Sequence, residues 1–169
     1  MQPSREVAGR VLRVGLGTDI HRLQPGVRLV IGGEPIEFES GLVGHSDADV
    51  LLHAVCDALL GAAGLGDIGT HFPDTDPQLT GVSSHLLLER VVAMIAELGW
   101  RVVNTDAVVD AEQPRLAPYI PAIERRLAAW LHVNSEAVHV KAKTAEGMGP
   151  IGRGEAIAAT CVCLLERRA

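Results

Sequence analysis

Aromatic residues are nearly missing from this chain: two Trp, one Tyr and two Phe make up 3% of 169 residues. Binding of single-stranded nucleic acid by base stacking calls for more of them. Positive charge is also short, with 15 Lys and Arg against 21 Asp and Glu, a formal net charge of −6. That balance argues against non-specific nucleic-acid binding and against a membrane-surface role, while leaving room for a local basic pocket. The three cysteines, Cys56, Cys161 and Cys163, make no zinc-ribbon or C-x-x-C pattern. They read as small core residues of a reduced compartment. No apolar run reaches membrane-spanning length, and the opening MQPSREVAGR has no apolar signal core, so a cytoplasmic protein is expected. Internal repeats, low-complexity segments and domain-splitting linkers are absent as well.

What is present is an aliphatic chain, 47% hydrophobic and long enough for one well-filled domain. Residues 1–12 are expected to be a flexible N-terminal extension and residues 13–169 a single domain. The chain is organised around residues 44–60, GHSDADVLLHAVCDALL. Read as a helix, this stretch places Asp49, His53 and Asp57 on one face at i, i+4 and i+8. Every other residue from Val50 to Leu60 is apolar. Such a helix is buried, and its polar line then needs a partner for each charge; the alternative is a polar stripe facing solvent. Ser46 is the expected N-cap, with Asp49 three residues on in a capping-box-like arrangement.

Around this helix the pattern predicts a strand from Val11 to Leu16 continuing towards His21, in which Gly15 and Gly17 permit close approach or a bulge. A hairpin follows, with Arg28–Ile31 and Pro35–Phe38 joined at Gly32-Gly33. After the helix, residues 61–77 read as a glycine-rich, then acidic loop. Ser83 and Ser84 cap a second helix that stops at Gly99, and Pro121 opens a third. Strands are predicted at Arg101–Ala111, His139–Thr144 and Ala156–Leu165, with a second glycine-rich loop over residues 146–154. The fold class is α+β, with a mixed or antiparallel four- to five-stranded sheet covered by helices on one face. The other face then needs cover, which points to self-association, and the apolar residues Val140, Ala142, Ile157, Ala159, Cys161 and Cys163 are the candidates to provide it.

Three constellations carry chemistry. Asp19 and His21, two apart on a strand end, point the same way, and with His53 they make a three-ligand set of the kind catalytic zinc uses. The competing reading is ordinary core and surface residues. The acidic stretch Phe72–Asp76 is either a solvated turn or a flap over a site. Lys141 to Glu146, followed by glycine-rich residues 147–154 with Arg153, offers the amides, hydroxyl and cations that suit a diphosphate. Its alternative is a hairpin loop with surface charges.

The segments GTDIH (17–21), IGG (31–33), 45–77, AEQPRLAPYIP (111–121) and VKAKTAEGMGPIGRGEAIA (140–158) resemble the 2-C-methyl-D-erythritol 2,4-cyclodiphosphate synthase family, in order and without large insertions. The resemblance implies conversion of 4-diphosphocytidyl-2-C-methyl-D-erythritol 2-phosphate to the cyclic diphosphate with release of CMP. Asp19, His21 and His53 match the zinc ligands, one Zn²⁺ per subunit. Asp19, His21, His45 and Ser46 match substrate contacts, His45 and Ser46 being the pair at the helix start near the transferring phosphate; the catalytic residues implied are His45 and Thr144, the latter a threonine that stabilises the transition state. Asp67, Ile68 and Gly69 match the methylerythritol loop, and Phe72, Pro73, Asp74, Thr75 and Asp76 the flap. Ala111, Glu112, Gln113, Pro114, Arg115, Leu116 and Ala117 match the cytidine pocket. Lys143, Thr144, Ala145, Glu146 and Arg153 match the phosphate region, with Glu146 holding a second ion, Mg²⁺ or Mn²⁺. A homotrimer with sites between subunits is implied. Two residues depart from the family pattern: Pro150 stands where a Phe is frequent, and Lys143 where Thr is commoner. Asp57, one turn beyond His53, is a candidate to orient that imidazole. A zinc-dependent phosphohydrolase is the alternative activity, and a non-catalytic trimeric scaffold the alternative class.

Overall fold

The computed structural model describes residues 9–44, 46–73, 75 and 81–169. In chain order the elements are β1 (Arg10–Pro25), β2 (Leu29–Ile31), β3 (Glu34–Ile36), β4 (Ser40–Val43), α1 (Val50–Ala63), α2 (Ile68–His71), α3 (Ser84–Glu97), β5 (Arg101–Asp110), α4 (Ile120–Trp130), β6 (Val138–Lys143), α5 (Gly149–Gly152) and β7 (Ala156–Arg168). A five-stranded sheet has the order β4-β1-β7-β5-β6, and β2 and β3 form a separate hairpin. All pairings in the large sheet are antiparallel except β5 with β6. That parallel pair needs a crossover, and α4 supplies it. The mixed sheet and the α+β class are those expected. The expected N-terminal extension falls partly on residues 1–8, outside the described residues, and β1 already includes Arg10, Val11 and Leu12.

β1 and α1 set the architecture. Along β1 the odd residues Gly15, Gly17, Asp19 and His21 face α1, and the even residues face away. A Cβ on Gly15 would lie 1.9 Å from the carbonyl oxygen of Ala58, and one on Gly17 would lie 2.0 Å from that of Ala54. Only glycine lets the helix backbone come this close to the strand. Every residue of α1 is buried except His53, Asp57 and Gly61, because β1 and β7 cover one side and α3 packs on another.

Each polar residue of α1 has its own partner. Asp49 caps the helix, accepting from Leu52 N at 3.1 Å, and also accepts from Gly32 N at 2.9 Å and Gly33 N at 2.7 Å. Ser46 is therefore not the cap; its hydroxyl accepts from Ala48 N at 3.2 Å, one turn too early. Burial pushes the Asp49 carboxyl up to about 6, against the pull of its three N–H donors. Asp49→Asn would set an amide N–H against one of the two glycine amides. It should lower stability by about 1–3 kcal/mol, read by urea unfolding at pH 7. Asp57 does not orient His53: it accepts from Ile68 N at 2.7 Å and so ties the start of α2 to α1.

Two further expectations are corrected. Residues 61–77 are not one loop: α1 runs on to Ala63, ending at Gly64 with φ +77°, and α2 follows with Asp67 as its cap. Of the residues assigned to the open sheet face, Val140, Ile157, Ala159, Cys161 and Cys163 are buried on the helix side, and Cys163 Sγ donates to Ala58 O at 3.2 Å. Ala142 alone of that set is exposed. The open face instead carries Leu12, Val14, Leu16, Ile20 and Val162, between 43% and 68% exposed. A strand's two faces differ by one residue, so residue type alone does not say which is inward. Among the described residues, no helix is long and apolar enough to cross a membrane.

Candidate active site

The close approach of α1 to β1 brings His53 to Asp19. His53 Nδ1 lies 2.9 Å from Asp19 Oδ2, His21 Nε2 lies 2.9 Å from the same oxygen, and the two nitrogens are 3.1 Å apart. These atoms form a triangle of one carboxylate oxygen and two imidazole nitrogens, the only such metal-capable group among the described residues. The donor set fits zinc. Tetrahedral zinc with bonds of about 2.0–2.1 Å separates its ligand atoms by about 3.3 Å, a few tenths of an ångström more than this triangle. The three side chains keep 13–24% exposure, so one side of the triangle is open to a ligand.

His21 is aimed from behind. Its Nδ1 donates to Val43 O at 3.1 Å, so Nε2 is the nitrogen that would face a metal with its lone pair, in place of the proton it otherwise gives to Asp19. Val43 belongs to β4, whose pairing with β1 sets Val43 opposite Arg22. β4 is four residues long and contains a glycine, so it carried no alternation signal in the sequence. Burial would by itself raise the Asp19 carboxyl, but hydrogen bonds from His21 and His53 outweigh it and hold Asp19 well below the usual carboxylate range. His21 is correspondingly raised: burial opposes its charge, and the hydrogen bond and charge of Asp19 prevail.

Ser46 joins this group, its Oγ 3.0 Å from His53 Nε2. The start of α1 is capped by Asp49, whose side chain accepts from Leu52 N. Asp67 Oδ1 accepts from Thr70 N at 2.8 Å and from Thr70 Oγ1 at 2.7 Å, which shapes the turn carrying Ile68 and Gly69. Phe72 ends α2, and Pro73 and Thr75 follow, both exposed. His45, Asp74 and Asp76 lie outside the described residues.

A second group forms at the far side of the sheet. Ala111 N donates to Lys143 O at 2.9 Å, joining the ends of β5 and β6. Glu112 accepts from Ala145 N at 3.2 Å and Gly147 N at 3.5 Å, so it holds the glycine-rich loop. Gln113-Pro114 is a cis peptide; Leu116 is buried, while Arg115 and Ala117 are exposed. Thr144 Oγ1 donates to Glu146 at 2.7 Å, and Glu146 takes a φ of +51°. The other end of the glycine-rich loop returns to β1: Glu155 O accepts from Leu23 N at 2.9 Å, Pro150 in the short α5 lines a pocket with His21, and Arg153 is paired with Glu155 at 2.8 and 3.0 Å. β1 and β6 are three strand spacings apart, about 14 Å. Within one chain the structure therefore keeps the Asp19–His21–His53 group and the Thr144–Glu146 group in two places.

Sequence reasoning missed Asp47, Ser83 and Ser84, which stand behind His53. Ser84 Oγ lies 3.0 Å from His53 Nε2 and hydrogen-bonds Asp47. The signal was there, in the Ser-Ser pair at the start of α3, but it reads as capping. Neither serine makes a side-chain cap: Ser83 is the N-cap residue without that bond.

The YgbB family model matches residues 12–166. The 2-C-methyl-D-erythritol 2,4-cyclodiphosphate synthase of Nitrosospira multiformis is 56% identical over 153 residues, 90% of this chain and 86% of that protein. Among solved structures, a CDP-bound form of 2C-methyl-D-erythritol-2,4-cyclodiphosphate synthase matches with a TM-score of 0.84 and 35% identity, over 90% of this chain and 99% of the other. The bifunctional IspDF of Campylobacter jejuni matches with a TM-score of 0.91 and 36% identity, over 94% of this chain, which spans 43% of that longer one.

Proposed function

The chain belongs to the YgbB family, and from that premise we infer how its residues carry out the reaction of a 2-C-methyl-D-erythritol 2,4-cyclodiphosphate synthase. It is an enzyme, a lyase of isoprenoid precursor synthesis. It converts 4-diphosphocytidyl-2-C-methyl-D-erythritol 2-phosphate to the 2,4-cyclodiphosphate and CMP. The observation that supports a role for these residues above any other is the triangle of Asp19, His21 and His53 with Ser46 beside it.

The proposed mechanism needs no general base, because the 2-phosphate is already an anion at pH 7. One of its oxygens forms a bond to the β-phosphorus. The bond from that phosphorus to the bridging oxygen breaks, and CMP leaves with the oxygen and its electron pair. No water is consumed. The barrier lies in bringing two anionic groups together in line, which is a matter of positioning and charge. Asp19, His21 and His53 are the proposed zinc ligands, and Glu146 the proposed ligand of Mg²⁺ or Mn²⁺ on the diphosphate. Such ions supply positive charge that reduces repulsion between the phosphates. Ser46, with His45, is assigned to the substrate near the transferring phosphate. The turn at Asp67, Ile68 and Gly69 is assigned to the methylerythritol hydroxyls, and the segment Phe72–Asp76 to closing over it. Ala111–Ala117 are assigned to cytidine, and Lys143–Glu146 with Arg153 to the phosphates. Three buried, unpaired cysteines suit a reducing compartment, and the cytoplasm is the proposed location.

A homotrimer with sites between chains is also proposed. Its support is the bare apolar strip Leu12, Val14, Leu16, Ile20 and Val162, together with the separation of the two residue groups. The test is incubation with the CDP-linked substrate and ³¹P detection. CMP and cyclic diphosphate are expected, whereas release of inorganic phosphate would mark a phosphohydrolase. Mixing dissociated His53→Ala and Glu146→Ala chains tests the assembly. Reassembled trimers should recover part of the activity, since some interfaces then hold two unmutated halves. Mixed trimers as inactive as their parents would place each site within one chain.

A further inference from the structure

We propose that Asp47 and Ser84 are a positioning pair for His53, holding its N–H at Nε2 so that Nδ1 offers its lone pair to the metal. The proposal rests on reading Asp19, His21 and His53 as the metal triad and deepens that reading. His53 Nε2 lies 3.0 Å from Ser84 Oγ and 3.0 Å from Ser46 Oγ, and those hydroxyls are 3.1 Å apart. Ser84 Oγ makes a short hydrogen bond to Asp47 Oδ1, which also accepts from Ser84 N at 3.0 Å. Asp47 Oδ2 accepts from Ser83 Oγ at 2.8 Å.

The direction of each proton follows from these partners. An ionised carboxylate only accepts. The single hydroxyl proton of Ser84 therefore goes to Asp47, and the Ser84 oxygen faces His53 with its lone pairs. The proton between that oxygen and His53 Nε2 belongs to the imidazole. In the metal-loaded protein Nδ1, 2.9 Å from Asp19 Oδ2, is then the ligand atom. His21 uses the same device with a different oxygen, its outer nitrogen donating to Val43 O. Ser84 is fully buried, so water does not compete for the relay. The relay also joins helices: α3 begins with the serine that steadies a side chain of α1.

Zinc affinity by chelator competition tests the pair, with Ser83→Ala as the control. Ser83 touches the outer oxygen of Asp47 and His85 but makes no hydrogen bond to His53, so its loss perturbs the start of α3 and leaves both hydroxyls on His53 Nε2 in place. Ser84→Ala should bind zinc about 10-fold more weakly or worse, near the lower end of the usual range because Ser46 remains on Nε2. Ser83→Ala should match the parent protein. Equal loss in both variants would assign the effect to anchoring and overturn the proposal, as would unchanged affinity in a folded Ser84→Ala protein. A second readout needs no variant. In the cobalt-substituted parent protein, proton NMR should show a slowly exchanging imidazole N–H on His53 Nε2, distinct from the Nδ1–H of His21. Its absence would overturn the proposal. His53→Ala separates the two ideas: if that variant binds zinc as the parent does, the triad itself is wrong, whereas if only Ser84→Ala is unaffected, the triad stands and the positioning pair falls.

Discussion

His53→Ala is expected to lose its zinc and to lower turnover by at least on the order of 10³-fold, because charge stabilisation worth several kcal/mol goes with the metal. His53 provides one corner of a three-atom triangle in which the other two corners come from the same strand, two residues apart. Without it, Asp19 and His21 remain as a two-ligand set on a half-exposed strand end. The fold should survive. His53 is half-buried and its loss removes contacts to Ser46, Ser84 and Asp19, a cost of about 1–3 kcal/mol for a typical substitution of this kind. The variant is checked by metal analysis, circular dichroism and ³¹P assay together. Chelation of the parent protein should reproduce the loss, and added zinc should restore it. A folded, metal-free His53→Ala protein with normal turnover would falsify the assignment.

Gly17→Ala should destabilise the protein by about 3 kcal/mol or more, the upper end of overpacking costs, because the obstacle is backbone and not a side chain that can rotate away. The added Cβ would lie 2.0 Å from Ala54 O and 2.5 Å from Ala58 N. α1 has to lift off β1 by more than an ångström to admit it. Ala54 follows His53 directly, and Asp19 is two residues on from Gly17, so the same movement opens the triangle. Zinc affinity and stability should therefore fall together. Gly61→Ala is the matching control. It lies on the exposed side of the same helix with nothing within 4 Å of its Cβ position. There the helix propensity of Ala should add up to about 1 kcal/mol. Urea unfolding of both variants reads the two signs, and a Gly17→Ala protein as stable as the parent would contradict the close packing.

The mass of apolar residues from Val50 to Leu60 determined a buried helix, since no other placement hides a surface that is apolar nearly all round. The i+2 spacing of Asp19 and His21 on a strand determined that they share a face. Gly15 and Gly17 signalled a close approach or a bulge before any neighbour was known, and the seating of α1 made it the close approach. Those are local properties, and local rules carry them. The partners of Asp49 and Asp57 were different. Which backbone amides reach a buried carboxylate depends on segments 16 residues and 11 residues away in the chain, and here Gly33 and Ile68 supply them. The inward face of β7 was assigned the wrong way round, because alternation gives two faces and only packing against α1 chooses between them. The same holds for Ser84. Its sequence position speaks of a helix start, and only the seating of α3 beside α1 turns its hydroxyl to His53. The metal-binding potential was legible in three residues of two types and the i+2 spacing of two of them, while the arrangement that aims them, Val43 O behind His21 and Ser84 behind His53, exists only once the chain has brought four separate elements together, because hydrogen-bond direction is set by tertiary position and not by neighbours in sequence.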